Sequence, residues 1–525
     1  MSIIVTGIRL PFTEPAEAAI EIAIKKAGIK SPAFFCVHKE SIDARRSVPV
    51  KVVSVLIETE SEAQLVEKLR DPSILIKKKA EKAEAAPYKK LQHRPVVAGF
   101  GPAGIFAALK LARAGLRPIV LEQGGSMDDR DNAVAHFNKT GRLNSSTNVQ
   151  FGEGGAGAYS DGKLNSGISD PRCEEVLQTF VEFGASPDIL TNAKPHIGTD
   201  VIRKVVVNIR EEIERLGGEV LFASTLDGLE RKNEKLQGIL INGQPFPCEV
   251  LLLAIGHSAR ATYELLHTSG VTLEQKPFSM GIRIEHRQET IDKAIYHTYA
   301  GHPALPPATY KLVNKEGGAA VYSFCMCPGG ELVAAASEEG GVVTNGMSYA
   351  ARKGCNANAA LLVSMDAAAL ESKHPLAGIE AQRTLERRAF RLAGESYKAP
   401  ACRLADFGKS GGLKDFTSVL PTYPRGVVLD SLSVCIPPGS LALLQNSLRR
   451  FGGKLKGFTD PDAILIAPET RSSSPVRILR TNEFESNNTK GLYPIGEGAG
   501  YAGGIMSSAV DGLRVAEHLC GIYLP

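Results

Sequence analysis

At 525 residues the chain is too long for a single core and predicts two or three domains. Its 61 Lys and Arg nearly cancel 57 Asp and Glu, which argues against a nucleic-acid partner, and no apolar run approaches the roughly 20 residues that span a bilayer. Nine scattered cysteines exclude a disulfide framework, and the opening MSIIVTGIRLPF lacks a basic segment leading into a long apolar one, so a cytoplasmic protein is expected.

Residues 1–90 read as a small N-terminal α/β domain plus a basic linker. SIIVTGIRL predicts a strand, and EPAEAAIEIAIKKAG an amphipathic helix with Pro15 in its first turn and Gly28 at its end. AFFCVHK and VKVVSVLIETE suit further strands, and SEAQLVEKL a closing helix. The polar cluster SIDARR (41–46) is expected to be a surface turn, and IKKKAEKAEAAPYKK a solvated linker.

RPVVAGFGPAGIFAALKLARAGLRPIVLEQG then predicts strand, helix and strand with short connections, the βαβ unit of a dinucleotide site. Gly99 permits the tight turn, Gly101 lets the backbone approach a pyrophosphate, and Gly104 lets helix and strand pack closely. Pro102 is pre-set for the first helical turn, and Ala103 follows it where the helix N-terminus offers free N–H groups to phosphate. Glu122, ending the second strand beside Gln123, is placed to take both ribose hydroxyls and would repel a 2′-phosphate. FAD or NAD fits this turn; NADP does not.

Three later segments suit the same ligand. NVQFGEGGAGAYSDGKL, with Gly154, Gly155, Ala156 and Gly157, follows DDRDNAVAHF, whose Arg130 joins the expected cofactor contacts. LLLAIGHSAR ends a buried strand at Ala254 and Gly256, where backbone can skirt a dinucleotide, and its His257, Ser258 and Arg260 read as turn caps. GLYPIGEGAGYAGGIMSSAVDG carries Gly496 and Glu497, then opens a helix at Gly503, Gly504 and Ile505. FAD is long enough to need both glycine turns, its adenosine half at the first and its flavin half at the second. Glu497 would then bond a ribityl hydroxyl or a water at the pyrophosphate.

Together with SFCMCPGG, NGMSYAAR and ETRSSSPVRILR, these segments resemble the bacterial FAD-dependent dehydrogenase family over nearly the whole chain. The resemblance implies FAD and a glutathione-reductase-like, Rossmann-type α/β fold with an inserted α+β substrate domain, and it names no substrate. Ala158-Tyr159 stands where the family's pattern leads one to expect Thr-Phe. The expected division is 1–90, a first FAD-binding part 91–270, an inserted substrate domain 271–465 and a C-terminal FAD-binding part 466–525.

Chemistry has three candidates. Cys325 and Cys327 are placed by strand alternation on one face, as a relay dithiol or as small apolar core residues, and a C-x-C disulfide would be strained. No second C-x-x-C or close His pair completes a metal site. Arg471 either holds an anionic substrate group or the reduced flavin, or pairs with Glu469 or Glu497. HTYAGHPALPPATY either lines the substrate pocket or forms a Pro-rich surface loop. The expected activity is FAD-dependent oxidation or reduction of a small molecule, with NAD(P)H or a protein as possible electron donor. The alternatives are a reductase of isolated C=C bonds and a non-enzymatic FAD-holding redox sensor or scaffold. Because no second G-x-G-x-x-G occurs between 200 and 330, a two-dinucleotide reductase is disfavoured.

Overall fold

Five strands of three residues each form a parallel sheet in the order Leu492–Pro494, Leu251–Leu253, Val96–Ala98, Ile119–Leu121 and Glu219–Leu221. The first four are buried along their whole length, as strands covered on both faces must be, and only the last is an exposed edge. The computed structural model describes residues 2–30, 32–59, 66, 67, 69–77, 88–165, 167–366, 370 and 372–525. The predicted helix SEAQLVEKL falls largely outside the described residues, and so does the middle of the basic linker.

Because all five strands run the same way, their C-terminal ends share one edge of the sheet, where ligands of open α/β sheets bind. Val96–Ala98 and Leu492–Pro494 both flank Leu251–Leu253. The two glycine turns, far apart in sequence, therefore emerge side by side. The helix Pro102–Arg113 leaves the first turn almost wholly buried, its Phe106 edge-on to Phe180 at 5.2 Å. It lies against the C-terminal helix Ile505–Cys520, and small residues set the distance. A Cβ on Gly512 would stand 2.2 Å from Ala103 O, and one on Gly496 would stand 2.6 Å from Ala103 Cβ.

A seven-stranded sheet is built from residues lying between Leu251–Leu253 and Leu492–Pro494 in the chain. Its order is Val313–Glu316, Ala319–Cys327, Asn356–Met365, Phe278–Arg287, Ile464–Glu469, Ala399–Arg403 and Val427–Leu429, antiparallel except for the last pair. Ile282, Ile284, Leu361 and Ile464–Ile466 form its core.

The N-terminal unit is an antiparallel sheet, ordered Phe35–Asp43, Val50–Glu58, Ser2–Pro11, Ile74–Ile76. Its helix Ala19–Ala27 buries Ala19, Ala23 and Ala27, one face at four-residue spacing. The unit docks on the rest of the chain through backbone and side chain: Ala193 N–H donates to Glu40 O at 2.9 Å, and Lys39 Nζ to Leu190 O at 2.8 Å. Among the described residues no helix is long and apolar enough to cross a membrane.

The closeness of the two helices gives a direct expectation. Gly512→Ala overpacks their crossing and lowers stability by about 1–3 kcal/mol, read as a lower urea midpoint with an unchanged m-value.

Candidate active site

Between the ends of the parallel sheet and the seven-stranded sheet lies a cavity of about 730 Å³. Gly99 (φ +106°) makes the turn into it, and a Cβ there would sit 2.3 Å from Ala254 O. At Gly104 a Cβ would meet Gly99 O at 1.9 Å, so this residue sets helix-to-turn packing and stands behind the lining. Gly101 differs. Its φ is −87°, and a Cβ would find only Gly155 Cα, at 3.7 Å, because the residue opens on the cavity. Pro102, Ala103 and Gln123 line the same wall.

The glycine-rich loop lies across both helix starts. A Cβ on Gly155 (φ +60°) would approach Gly101 Cα to 2.9 Å, and one on Gly157 would approach Ile505 Cγ1 to 3.3 Å. Gly155, Ala156 and Gly157 line the cavity; Gly154 stands behind them. Arg130 holds the loop from beneath and does not reach the cavity, a correction to its expected cofactor contact. Its fully buried guanidinium donates to the carbonyls of Asn148 (2.8 Å), Val149 (2.7 Å) and Glu153 (2.6 Å) and lies 4.7 Å over the Tyr159 ring. Four of its five N–H donors are taken by backbone carbonyls around the loop.

Glu122 lines the cavity but is already engaged. Its carboxylate accepts N–H bonds from Phe100 (3.0 Å), Gly124 (3.0 Å) and Gly152 (2.9 Å), tying both strand ends to the loop. Any ribose contact is added to this clasp.

At the second turn Gly496 packs on Ala103 behind the lining, while Glu497, Gly503, Gly504 and Ile505 face the cavity. Ala254 and Gly256 face it from the neighbouring strand end. Glu497 accepts from Gly504 N–H at 3.1 Å and lies 3.0 Å from His257 Nδ1. Burial would raise the Glu497 carboxyl, but His257, the Gly504 N–H and Lys276 outweigh it and hold it low. His257, expected as a turn cap, is thus the partner of Glu497. It lines the cavity, and its Nε2 is buried with no hydrogen-bond partner among the described residues.

The opposite wall is charged, a feature the sequence reading missed although Asp161 and Lys163 sit inside the quoted GAYSDGKL. Arg352 pairs with the buried Asp161 at 2.5 Å, and Lys163 lies 3.2 Å from the same carboxylate. Burial would raise Asp161, but Lys163 and Arg352 hold it below the usual range. Burial, then Arg352, lowers His196. Pro306, Pro307, Thr309 and Tyr310 bring the end of the HTYAGHPALPPATY stretch to this wall beside Tyr296, while His297, Thr298, Gly301, Pro303 and Ala304 in its first part are exposed at the surface. Ser41 and Ile42 reach the rim, so SIDARR is not only a surface turn.

The cysteines part company. The strand register slips between Phe324 and Cys327, and Cys325 takes φ +42°, so alternation fails. Cys325 lines the cavity, and Cys327 is buried outside its lining. Arg471 lines the cavity but its charge is spent. It donates to Glu386 at 2.8 and 3.1 Å, not to Glu469 or Glu497, and Arg260 grips the same carboxylate at 2.8 Å twice. Glu469 instead pairs with Arg283 at 2.6 Å.

Residues 277–472 match the family model described as FAD-dependent protein, C-terminal domain-like. A protein of Clostridium beijerinckii (strain ATCC 51743 / NCIMB 8052), described only as uncharacterized, is 48% identical over 485 residues, 92% of this chain and 91% of that one. Among solved structures, glycine oxidase from Bacillus cereus ATCC 14579 is 11% identical, with 82% of this chain and 95% of that one covered and a TM-score of 0.30. The glycerol-3-phosphate dehydrogenase from Bacillus halodurans complexed with FAD is 10% identical, with 83% and 66% covered and a TM-score of 0.34. Overall likeness at that level carries no inference about substrate.

The buried Arg260–Glu386–Arg471 group generates a stability prediction. Burial would raise the Glu386 carboxyl, but the two guanidiniums hold it far below the carboxylate range. Its contribution is therefore complete above the unfolded value of about 4.3 and is lost as pH falls toward the depressed folded value. Glu386→Gln should cost about 3–5 kcal/mol at neutral pH. In urea titrations the gap to wild type should stay constant above about pH 5 and narrow below about pH 4.

Proposed function

The chain belongs to the family of FAD-dependent proteins, and on that premise we propose that it is an oxidoreductase whose single FAD spans both glycine turns. One observation carries the reading: the turn at Gly101, the loop at Gly155 and the helix start at Ile505 touch one another around one cavity. The glycines leave room for a pyrophosphate where side chains would intrude, and His257, whose buried Nε2 has no partner among the described residues, offers a polar group beside them. The residues fit the cofactor.

In this reading the adenosine half lies by Glu122 and Gln123, and the pyrophosphate lies at the N-terminus of Pro102–Arg113. The ribityl chain lies by His257 and Glu497, and the ring system by Ile505–Cys520. Bound flavin supplies two-electron transfer at N5. The chain's own groups orient and tune it. The N-terminus of Ile505–Cys520 presents positive potential and free N–H groups to negative charge at the ring. The seven-stranded sheet covers the cavity, and Ser41 and Ile42 of the N-terminal unit narrow its mouth. The charged wall of Asp161, Lys163 and Arg352 favours a polar substrate over an isolated double bond of an apolar chain. With no second G-x-G-x-x-G between 200 and 330, a nicotinamide donor would bind transiently.

Gly101→Ala separates cofactor binding from folding. Its Cβ meets only an ordinary contact in the protein yet projects where the pyrophosphate backbone approach is needed. Stability should stay within about 1 kcal/mol of wild type, while the FAD released on denaturation per mole of purified protein falls at least tenfold. Unchanged FAD content would remove the pyrophosphate from this turn.

A further inference from the structure

The charged wall of the cavity also carries a cysteine. Cys325 lines the wall opposite the glycine turns, Cys327 lies behind it with its thiol donating to Cys325 O at 3.2 Å, and both cysteines are unbridged. Lys163 donates to Met326 O between them. Arg283 lies beneath, paired with Glu469 and hydrogen-bonded to Asn358. Tyr310 lines the same end of the cavity, nine-tenths buried, and its Oη has no hydrogen-bond partner among the described residues. Around the mouth stand the exposed Lys194 and Lys311, with Arg352 deeper inside. A sulfur nucleophile, an ammonium and a basic approach share one end of the cavity, with a second cysteine directly behind.

We propose that Cys325 and Cys327 are a nucleophilic and resolving pair that reduces a small, negatively charged disulfide substrate. The Cys325 thiolate, stabilised by the Lys163 ammonium, attacks one substrate sulfur, the substrate S–S bond breaks, and the departing thiolate takes a proton from solvent. Cys327 then attacks Cys325 Sγ, and its own proton leaves with the second substrate thiol. Two cysteine sulfurs are oxidised by two electrons, one substrate disulfide becomes two thiols, and a Cys325–Cys327 disulfide remains. The exposed Lys194 and Lys311 at the mouth select for its negative charge.

The electrostatics agree with these roles. The neighbouring Cys327 side chain lowers the Cys325 thiol, burial opposes this, and Lys163 and Arg283 reinforce it against Asp161. The same contact, then burial, raises Cys327. Burial would lower Lys163, but the two sulfurs and Asp161 keep it protonated. One cysteine is thus ready as thiolate while its neighbour keeps its proton, as attack and resolution require. A disulfide across so short a ring is strained and readily opened again. The proposal names a substrate class for the proposed flavin cavity and rests on that reading for turnover. The half-reaction itself needs only the chain.

The test uses the FAD-containing protein at pH 6, where ordinary thiols react slowly, with 5,5′-dithiobis(2-nitrobenzoate) as an anionic disulfide probe. Wild type should show a fast phase releasing two equivalents of nitrothiobenzoate and, by peptide mass mapping, a Cys325–Cys327 disulfide. Cys327→Ser should release one equivalent and retain the mixed disulfide on Cys325. Cys325→Ser should lose the fast phase while keeping its FAD content. Lys163→Gln should slow the phase at least tenfold, with Lys163→Arg close to wild type. Dithiodiglycolate, anionic, should outpace cationic cystamine at least tenfold after each rate is divided by that with free N-acetylcysteine amide. A fast phase that survives Cys325→Ser, a Cys325 that reacts no faster than the exposed Cys355, a wild-type product that stops at the mixed disulfide, or equal normalised rates for the two probes would each overturn the proposal. Loss of FAD by Gly101→Ala with the fast phase intact would support it separately from the flavin reading. Failure of the fast phase in a protein that keeps its FAD would remove this proposal alone.

Discussion

The close approach of backbone at a few glycines is the constraint on which the site depends. Gly101 against Gly155, Gly157 against Ile505 and Gly496 and Gly512 against Ala103 join the first turn, the loop and the last helix into one continuous surface. Any side chain at the helix crossing would force the helices apart, and the ends of strands Val96–Ala98 and Leu492–Pro494 would no longer open on a shared cavity. Close packing at Gly496 and Gly512 brings the helices together, while Gly101, Gly155 and Gly157 line the cavity beside them.

Charge burial does the second part of the work. Arg130 holds the loop by its carbonyls, Glu122 holds it by its amides, and Arg260, Glu386 and Arg471 bind helix Ala377–Leu392 to the segment after strand Ile464–Glu469. Such groups, each satisfied by several partners, cost little once assembled and much when one partner is lost. Their effect is to fix the seven-stranded sheet over the parallel one, so that the wall bearing Cys325 and Lys163 faces the wall bearing Gly101.

The first glycine turn was legible because its chemistry is local: strand, turn, helix and second strand lie within about thirty residues, as such units do. The second turn was legible for the same reason. What escaped depends on tertiary packing. Arg471 found Glu386, far away in sequence, because helix Ala377–Leu392 packs against its segment. Glu122 looked free for ribose because nothing in its own strand shows that a later loop will present Gly152 N–H to it. The cysteine pair was misread because strand alternation assumes regular pairing, and a register slip with a positive φ at Cys325 breaks it. Ser41 and Ile42 gave no sign of reaching the cavity, since only the docking of Glu40 on Ala193 puts them there.

A crystal structure of the purified protein with its cofactor tests the central claim most directly: that turns remote in sequence grip the two halves of one FAD. The expected map shows a single unbroken ligand running from Glu122 past Gly101 and His257 to the N-terminus of Ile505–Cys520. Adenine density elsewhere, or separate ligands at the two turns, would contradict it.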